Sequence, residues 1–314
     1  MSFTVNINTD SLFPIIILTD NSNKTFVEIY AQGASLNGFT VIQKNGEAQN
    51  LIDGYSSPQD IIENGKWFKG SKLNPFVCRL AKGEFVHNNT LYKINKCFSG
   101  EEALHGLLFD CVFTIESTGH TNEYVYTNLF FDYTKKNEGF PFEYSCRISY
   151  KLYADNLISI ETIITNLGNQ SMPMSDGWHP YFSLGNTVND LEILFNSSSI
   201  IEFNDKLLPT GKTLADKRFE SSVLLGDISL DNCFVLKDFA KPACILKNNA
   251  TGISLEIIAD KSYPFLQVFT PDHRKSIAIE NLSSPPDSFN NKMNLDILKP
   301  GQEKKFSVWY KISA

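Results

Sequence analysis

Apolar residues recur along this chain with a period of two, in short runs that cover most of its length. Residues 15–19, 24–30, 91–95, 111–116, 124–132, 144–152, 157–166, 254–258 and 306–312 all show it. A period of two puts apolar side chains on one face of an extended strand and polar ones on the other. Between the runs stand turn formers such as Asn45-Gly46, Asn88-Asn89 and Asp155-Asn156, which accept the left-handed backbone that tight turns need. Sustained helical periodicity is almost absent; residues 57–62 and 287–291 predict one helical turn each. With no strand–helix–strand rhythm, a parallel sheet is not expected. The 24 Phe and 12 Tyr suit a pleated surface. So many strands cannot stay in one flat open sheet. The pattern therefore predicts an all-β chain folded as one large antiparallel β-sandwich. No Pro/Gly/Ser linker and no internal repeat divides residues 1–314, so a single domain is expected. The polar stretch 204–219, with Pro209 and Gly211, reads as a long loop.

Charge narrows the partners. The net charge is -7 and no Lys/Arg cluster stands out, which disfavours a nucleic-acid partner. The six cysteines, Cys78, Cys97, Cys111, Cys146, Cys233 and Cys244, are widely spaced and form no C-x-x-C pair. A zinc knuckle is therefore unsupported, and free thiols buried in a reducing cytoplasm are expected. Residues 1–10 carry no basic segment, and the apolar run 12–18 is short and broken by Pro14. Neither a signal peptide nor a membrane span is expected.

Polar residues in apolar settings mark the candidate chemistry. In Ser175-Asp176-Gly177-Trp178-His179-Pro180-Tyr181-Phe182 the parities separate. Met172, Met174, Trp178 and Phe182 share one face; Ser175, His179 and Tyr181 share the other. His179 should thus leave the strand on the polar side, beside Tyr181, and imidazole is the side chain best suited to proton transfer near neutral pH. Arg79 ends an apolar run, and a buried-side guanidinium needs an anion or several acceptors. His105 precedes Gly106 at a loop edge. Asp231 opens the run Asp231-Asn232-Cys233-Phe234, and Glu280 follows Ile277 and Ile279, which face the other way. Each also has an ordinary structural reading: hydrogen-bonded histidines, an ion-paired arginine, a turn or capping aspartate, and a glutamate on the solvated face of an amphipathic strand.

At these same residues the chain resembles the aldose 1-epimerase (galactose mutarotase) family. The resemblance runs nearly end to end, through Ala31-Gln32-Gly33-Ala34, Asn74-Pro75-Phe76 to Arg79, Leu104-His105-Gly106 and Gly139-Phe140-Pro141. It continues through Thr165-Asn166, Gly177-Trp178-His179-Pro180-Tyr181-Phe182, Asp231-Asn232-Cys233-Phe234, and Glu280 with Pro285-Pro286-Asp287. The shared order of these elements carries it. Two positions depart: many relatives have Asn where this chain has Cys78, and many bacterial ones have Pro where it has Asn281.

The resemblance implies a galactose mutarotase-like supersandwich that interconverts sugar anomers without a cofactor or metal. Such chemistry needs a base at the C1 hydroxyl and an acid at the ring oxygen. By resemblance Glu280 is the base and His179 the acid, with His105 near the ring oxygen. Arg79 and Asp231 would grip sugar hydroxyls, and Trp178 or Phe142 would offer an aromatic face, although core packing suits both. An ionised Glu280 beside a protonated His179 implies a bell-shaped pH profile. The implied partner is a small sugar, with no membrane, in a monomer or homodimer. Three alternatives remain: a hexose 6-phosphate substrate served by Lys72, Lys82 or Arg274; a non-catalytic sugar-binding module; and glycoside hydrolysis by Glu280 with Asp231.

Overall fold

Alternation in sequence becomes alternation in burial. Along the strand Tyr124–Thr134, Val125, Thr127, Leu129, Phe131 and Tyr133 are buried while the residues between them are not. The computed structural model describes residues 2–96, 98–135 and 137–314, with Phe98 described by its backbone alone; Cys97 lies outside the described residues. Tyr124–Thr134 lies second in a nine-stranded antiparallel sheet, after Thr114–His120. Glu143–Tyr153, Leu157–Asn166, Glu303–Ser313, Ser254–Ala259, Cys244–Asn248, Leu191–Phe195 and Val223–Leu224 complete it in that order.

A second, eight-stranded sheet runs Pro209–Ala215, Ser197–Phe203, Asp231–Leu236, Phe265–Phe269, Ile277–Leu282, Gly177–Trp178 and Lys72–Leu73, with Tyr181–Phe182 pairing beside Ile277–Leu282. Aromatic contacts join the two sheets across one core. Phe195 meets Phe234 at 4.5 Å, Phe182 meets Tyr310 at 5.4 Å and Trp178 meets Tyr150 at 5.8 Å between ring centroids. Burying each such side chain contributes about 1.5–3 kcal/mol. The N-terminal five-stranded sheet, Phe3–Asn8 through Ala48–Asn50, adds Ile16, Leu18, Val27 and Ile29 to the same core.

Both helical turns form among the described residues, as Pro58–Asn64 and Ser288–Asn291. Ser57 starts the first: its hydroxyl accepts the Asp60 N–H at 3.2 Å, and Pro58 has no N–H to leave unpaired. The stretch 204–219 differs from expectation. It holds the strand Pro209–Ala215, paired with Ser197–Phe203. Six of its seven residues are exposed, so no apolar alternation marked it as a strand. Of the described cysteines, four are buried free thiols and Cys111 is half-buried. Among the described residues no helix is long and apolar enough to cross a membrane.

Candidate active site

Strand register builds one wall of a polar cleft. Gln267 pairs with Cys233 on one side and Glu280 on the other, and Phe269 pairs with Asp231. Period two then sends Asp231, Cys233, Gln267, Phe269 and Glu280 to one face. Their neighbours Phe234, Leu266, Val268, Ile277 and Ile279 go to the core. The strand carrying Glu280 is buried on both faces, so Glu280 is not on a solvated surface. Its carboxylate is aimed into the cleft.

Two short segments supply the other wall. Gly177 pairs with both Leu73 and Leu282, and a Cβ there would stand 2.6 Å from Leu282 Cδ2. That close approach brings the next residues, Trp178 and His179, hard against the sheet. Trp178 turns to the core and His179 to the cleft, where its ring stacks on Tyr181 at 5.0 Å. His105 sits at φ 58°, and its N–H donates to the Cys78 carbonyl at 2.8 Å. Gly106 follows at φ +81°, where any Cβ would lie 2.2 Å from the Asn74 carbonyl oxygen. Arg79 enters on the strand Arg79–Leu80.

The cleft has a volume of about 280 Å³, and Arg79, His105, His179, Asp231 and Glu280 all line it. His179 Nε2 lies 3.3 Å from Glu280 Oε1, and Cys78 Sγ donates to Glu280 Oε2 at 3.8 Å. Gln267 Nε2 donates to Asp231 Oδ1 at 2.7 Å. The His105 and His179 rings meet edge-on at 4.9 Å, and Phe68 packs on His105 at 4.4 Å.

Burial is the largest influence on the charged groups of the cleft. It holds the Glu280 carboxyl well above its ordinary value, reinforced by the Asp231 charge. It drives His179 down to about 4. His105 is pushed well below its ordinary value by burial, then by His179 and Arg79. Asp231 is raised by burial against the opposing pull of Arg79 and Gln267. Burial thus opposes charge on both members of the Glu280–His179 contact, which are 3.3 Å apart and within reach of one proton transfer.

Trp178 does not line the cleft, contrary to its assignment as a sugar contact. Its ring is 1% exposed, packed on Tyr150, with the Lys72 ammonium 4.2 Å from its centroid. Phe142 is likewise buried in the core. Lys72 cannot serve a phosphate: it is fully buried and paired with Asp176. The Arg274 guanidinium is occupied by Asn189, Ile228 and Gly226. Lys82 is exposed and outside the cleft.

Sequence reasoning missed Gln267 and the rim residues Lys66, Trp67, Phe203 and Leu207. Gln267 left a trace, as the lone polar residue of Phe265-Leu266-Gln267-Val268-Phe269. It also missed Asp176, whose carboxylate takes hydrogen bonds from Tyr263 at 2.7 Å and Asn74 at 3.1 Å, besides Lys72.

The family model for aldose 1-epimerase matches residues 15–311. The chain belongs to the aldose 1-epimerase family. It is 25% identical over 332 residues to the aldose 1-epimerase of Streptococcus thermophilus, covering 94% of this chain and 92% of that one. It is 26% identical over 243 residues to the uncharacterized protein YihR of Escherichia coli, covering 74% and 75%. Its fold matches a galactose mutarotase-like protein from Clostridium acetobutylicum with a TM-score of 0.86 at 18% identity, over 99% of both chains. It matches galactose 1-epimerase from Lactobacillus acidophilus with a TM-score of 0.84 at 19% identity, again over 99% of both. The fold is the mostly antiparallel β-sandwich of these mutarotase-like structures.

Proposed function

We propose that this chain interconverts the α and β anomers of a free aldohexose by opening and reclosing the sugar ring. The observation that carries this reading is the buried contact of His179 Nε2 with Glu280 Oε1 at 3.3 Å in a cleft of sugar size. One carboxyl and one imidazole sharing a proton can deliver it to one oxygen while taking another elsewhere.

Glu280, as carboxylate, takes the proton from the C1 hydroxyl. His179, as imidazolium, gives its proton to the ring oxygen. The C1–O5 bond breaks, its electron pair stays on O5, and C1 becomes an aldehyde. Rotation about C1–C2 presents the other carbonyl face. O5 attacks it, and the two protons return. Sugar hydroxyls and the Arg79 charge favour the ionised pair once substrate is bound. Arg79 and Asp231 orient the sugar through charged hydrogen bonds, and His105 lies beside His179 to steady the ring-oxygen region. Nothing in this cycle asks for a metal or cofactor.

Free sugar is favoured over sugar phosphate, because Lys72 and Arg274 are committed elsewhere and, among the described residues, Lys66 is the one lysine that lines the cleft. The test is a polarimetric assay of anomer exchange over free aldoses and hexose 6-phosphates. Acceleration of a free aldose is expected. Acceleration of the phosphates alone would move the substrate, and binding without acceleration would make this a sugar-binding module.

A further inference from the structure

Cys78 stands on the cleft wall and introduces a thiol into a site of imidazole and carboxylate. Its Sγ, a ring nitrogen of His105 and a carboxylate oxygen of Glu280 all lie within 4.8 Å of one another. The Sγ–Oε2 separation is 3.8 Å. In a tetrahedral zinc site, bonds of about 2.3 Å to sulfur and about 2.0–2.2 Å to nitrogen and oxygen put ligand atoms about 3.3–3.8 Å apart. One edge of the triangle already has that length, and side-chain rotation of about 1 Å closes the rest.

We propose that Cys78, His105 and Glu280 form a binding site for one thiophilic divalent cation of the zinc class, and that its occupancy blocks the sugar cleft.

Three further features support the site. The backbone clamps two ligands together: the His105 N–H donates to the Cys78 carbonyl at 2.8 Å, and both residues have left-handed backbone, at φ 58° and 48°. His105 Nδ1 is buried and has no hydrogen-bond partner among the described residues. All three ligand groups are buried, so a cation there would be held by the protein and not by bulk water. A divalent cation binds the deprotonated thiol and carboxyl, so two negative ligands and one neutral ligand surround a charge of two, as such metals require. The mix of S, N and O ligands suits zinc and cadmium over magnesium or calcium, which prefer oxygen alone.

The inference does not rest on the proposed reaction, because occupancy has its own signal. Cadmium is titrated into the metal-free protein while the ultraviolet thiolate-to-cadmium charge-transfer band and released protons are followed. One equivalent should raise the band, release protons and be displaced by EDTA. Cys78→Ser and, separately, Cys78→Asn should lose the band and bind zinc at least tenfold more weakly in competition. Cys233→Ser, which removes the neighbouring buried thiol, should keep it. Circular dichroism confirms that each variant is folded. Zinc should also slow anomer exchange, with the inhibition relieved by raising the sugar concentration. No band in the wild type, or a band unchanged in both folded Cys78 variants, overturns the site. A band that persists while saturating sugar binds unimpeded overturns the blockade.

Discussion

Replacing Lys72 with Met tests the buried pair behind the cleft. Lys72 and Asp176 are both fully buried, and they join the Lys72–Leu73 and Gly177–Trp178 strands that position His179. Removing one partner leaves the other charged and unpaired, which typically costs about 3–5 kcal/mol. Asp176 keeps hydrogen bonds from Tyr263 and Asn74, so the lower end of that range is expected. At about 2.1 cal/mol/K of unfolding entropy per residue, a chain of this length then loses about 5 °C of melting temperature. The deficit should depend on pH. Burial already raises the Asp176 carboxyl, and Lys72 opposes that rise; without Lys72 it rises further. A group whose folded pKa exceeds its unfolded one binds more protons when folded, so the variant loses stability as pH increases through that range. Thermal denaturation of both proteins from pH 5 to 8 reads this directly. The gap should widen with pH. A gap below about 1 kcal/mol, or one independent of pH, would refute the account of this pair.

Other expectations concern the cleft. The pH profile of anomer exchange, after subtraction of the spontaneous rate, should be bell-shaped because the Glu280–His179 pair works with one proton. Its acid limb follows the depressed His179, near about 4, and its basic limb follows the raised Glu280 carboxyl. These are properties of the coupled pair, and a rate that climbs to the alkaline end without a basic limb would contradict them. Arg79→Met should raise KM about 10–100-fold, as expected for loss of a charged hydrogen bond worth about 1.5–3 kcal/mol; steady-state kinetics showing a change within about twofold would remove Arg79 from sugar binding. Trp178→Ala should destabilise the fold by about 3–5 kcal/mol in chemical denaturation and leave KM alone in the folded fraction. A raised KM at full stability would restore Trp178 as a sugar contact.

The face on which the segment around His179 presents its polar residues was legible in the sequence; which strands are neighbours was not. Parity alone put His179 with Tyr181 and Trp178 with Met172 and Phe182, and both assignments match the structure. It was the sugar-contact role, suggested by resemblance, that Trp178 did not fulfil. The row Cys233–Gln267–Glu280 exists only once three strands pair, so nothing local announces it. Lys72 and Asp176 lie 104 residues apart, and a lone lysine opening a two-residue strand gives no sign that it will be buried. Glu280 was ambiguous for a related reason. A glutamate alternating with isoleucines fits a solvated strand equally well, and only the strands on either side make both faces interior. The strand Pro209–Ala215 was hidden because its solvent-facing residues carry no apolar rhythm.

The most direct test of the central account compares anomer exchange by wild type and Glu280→Gln at saturating sugar, by NMR exchange spectroscopy between the two anomers. Glutamine keeps the shape and loses the base. The account predicts that exchange falls by about 10²–10⁴-fold while sugar affinity changes little. Exchange at the wild-type rate in the folded variant would contradict a Glu280–His179 proton relay.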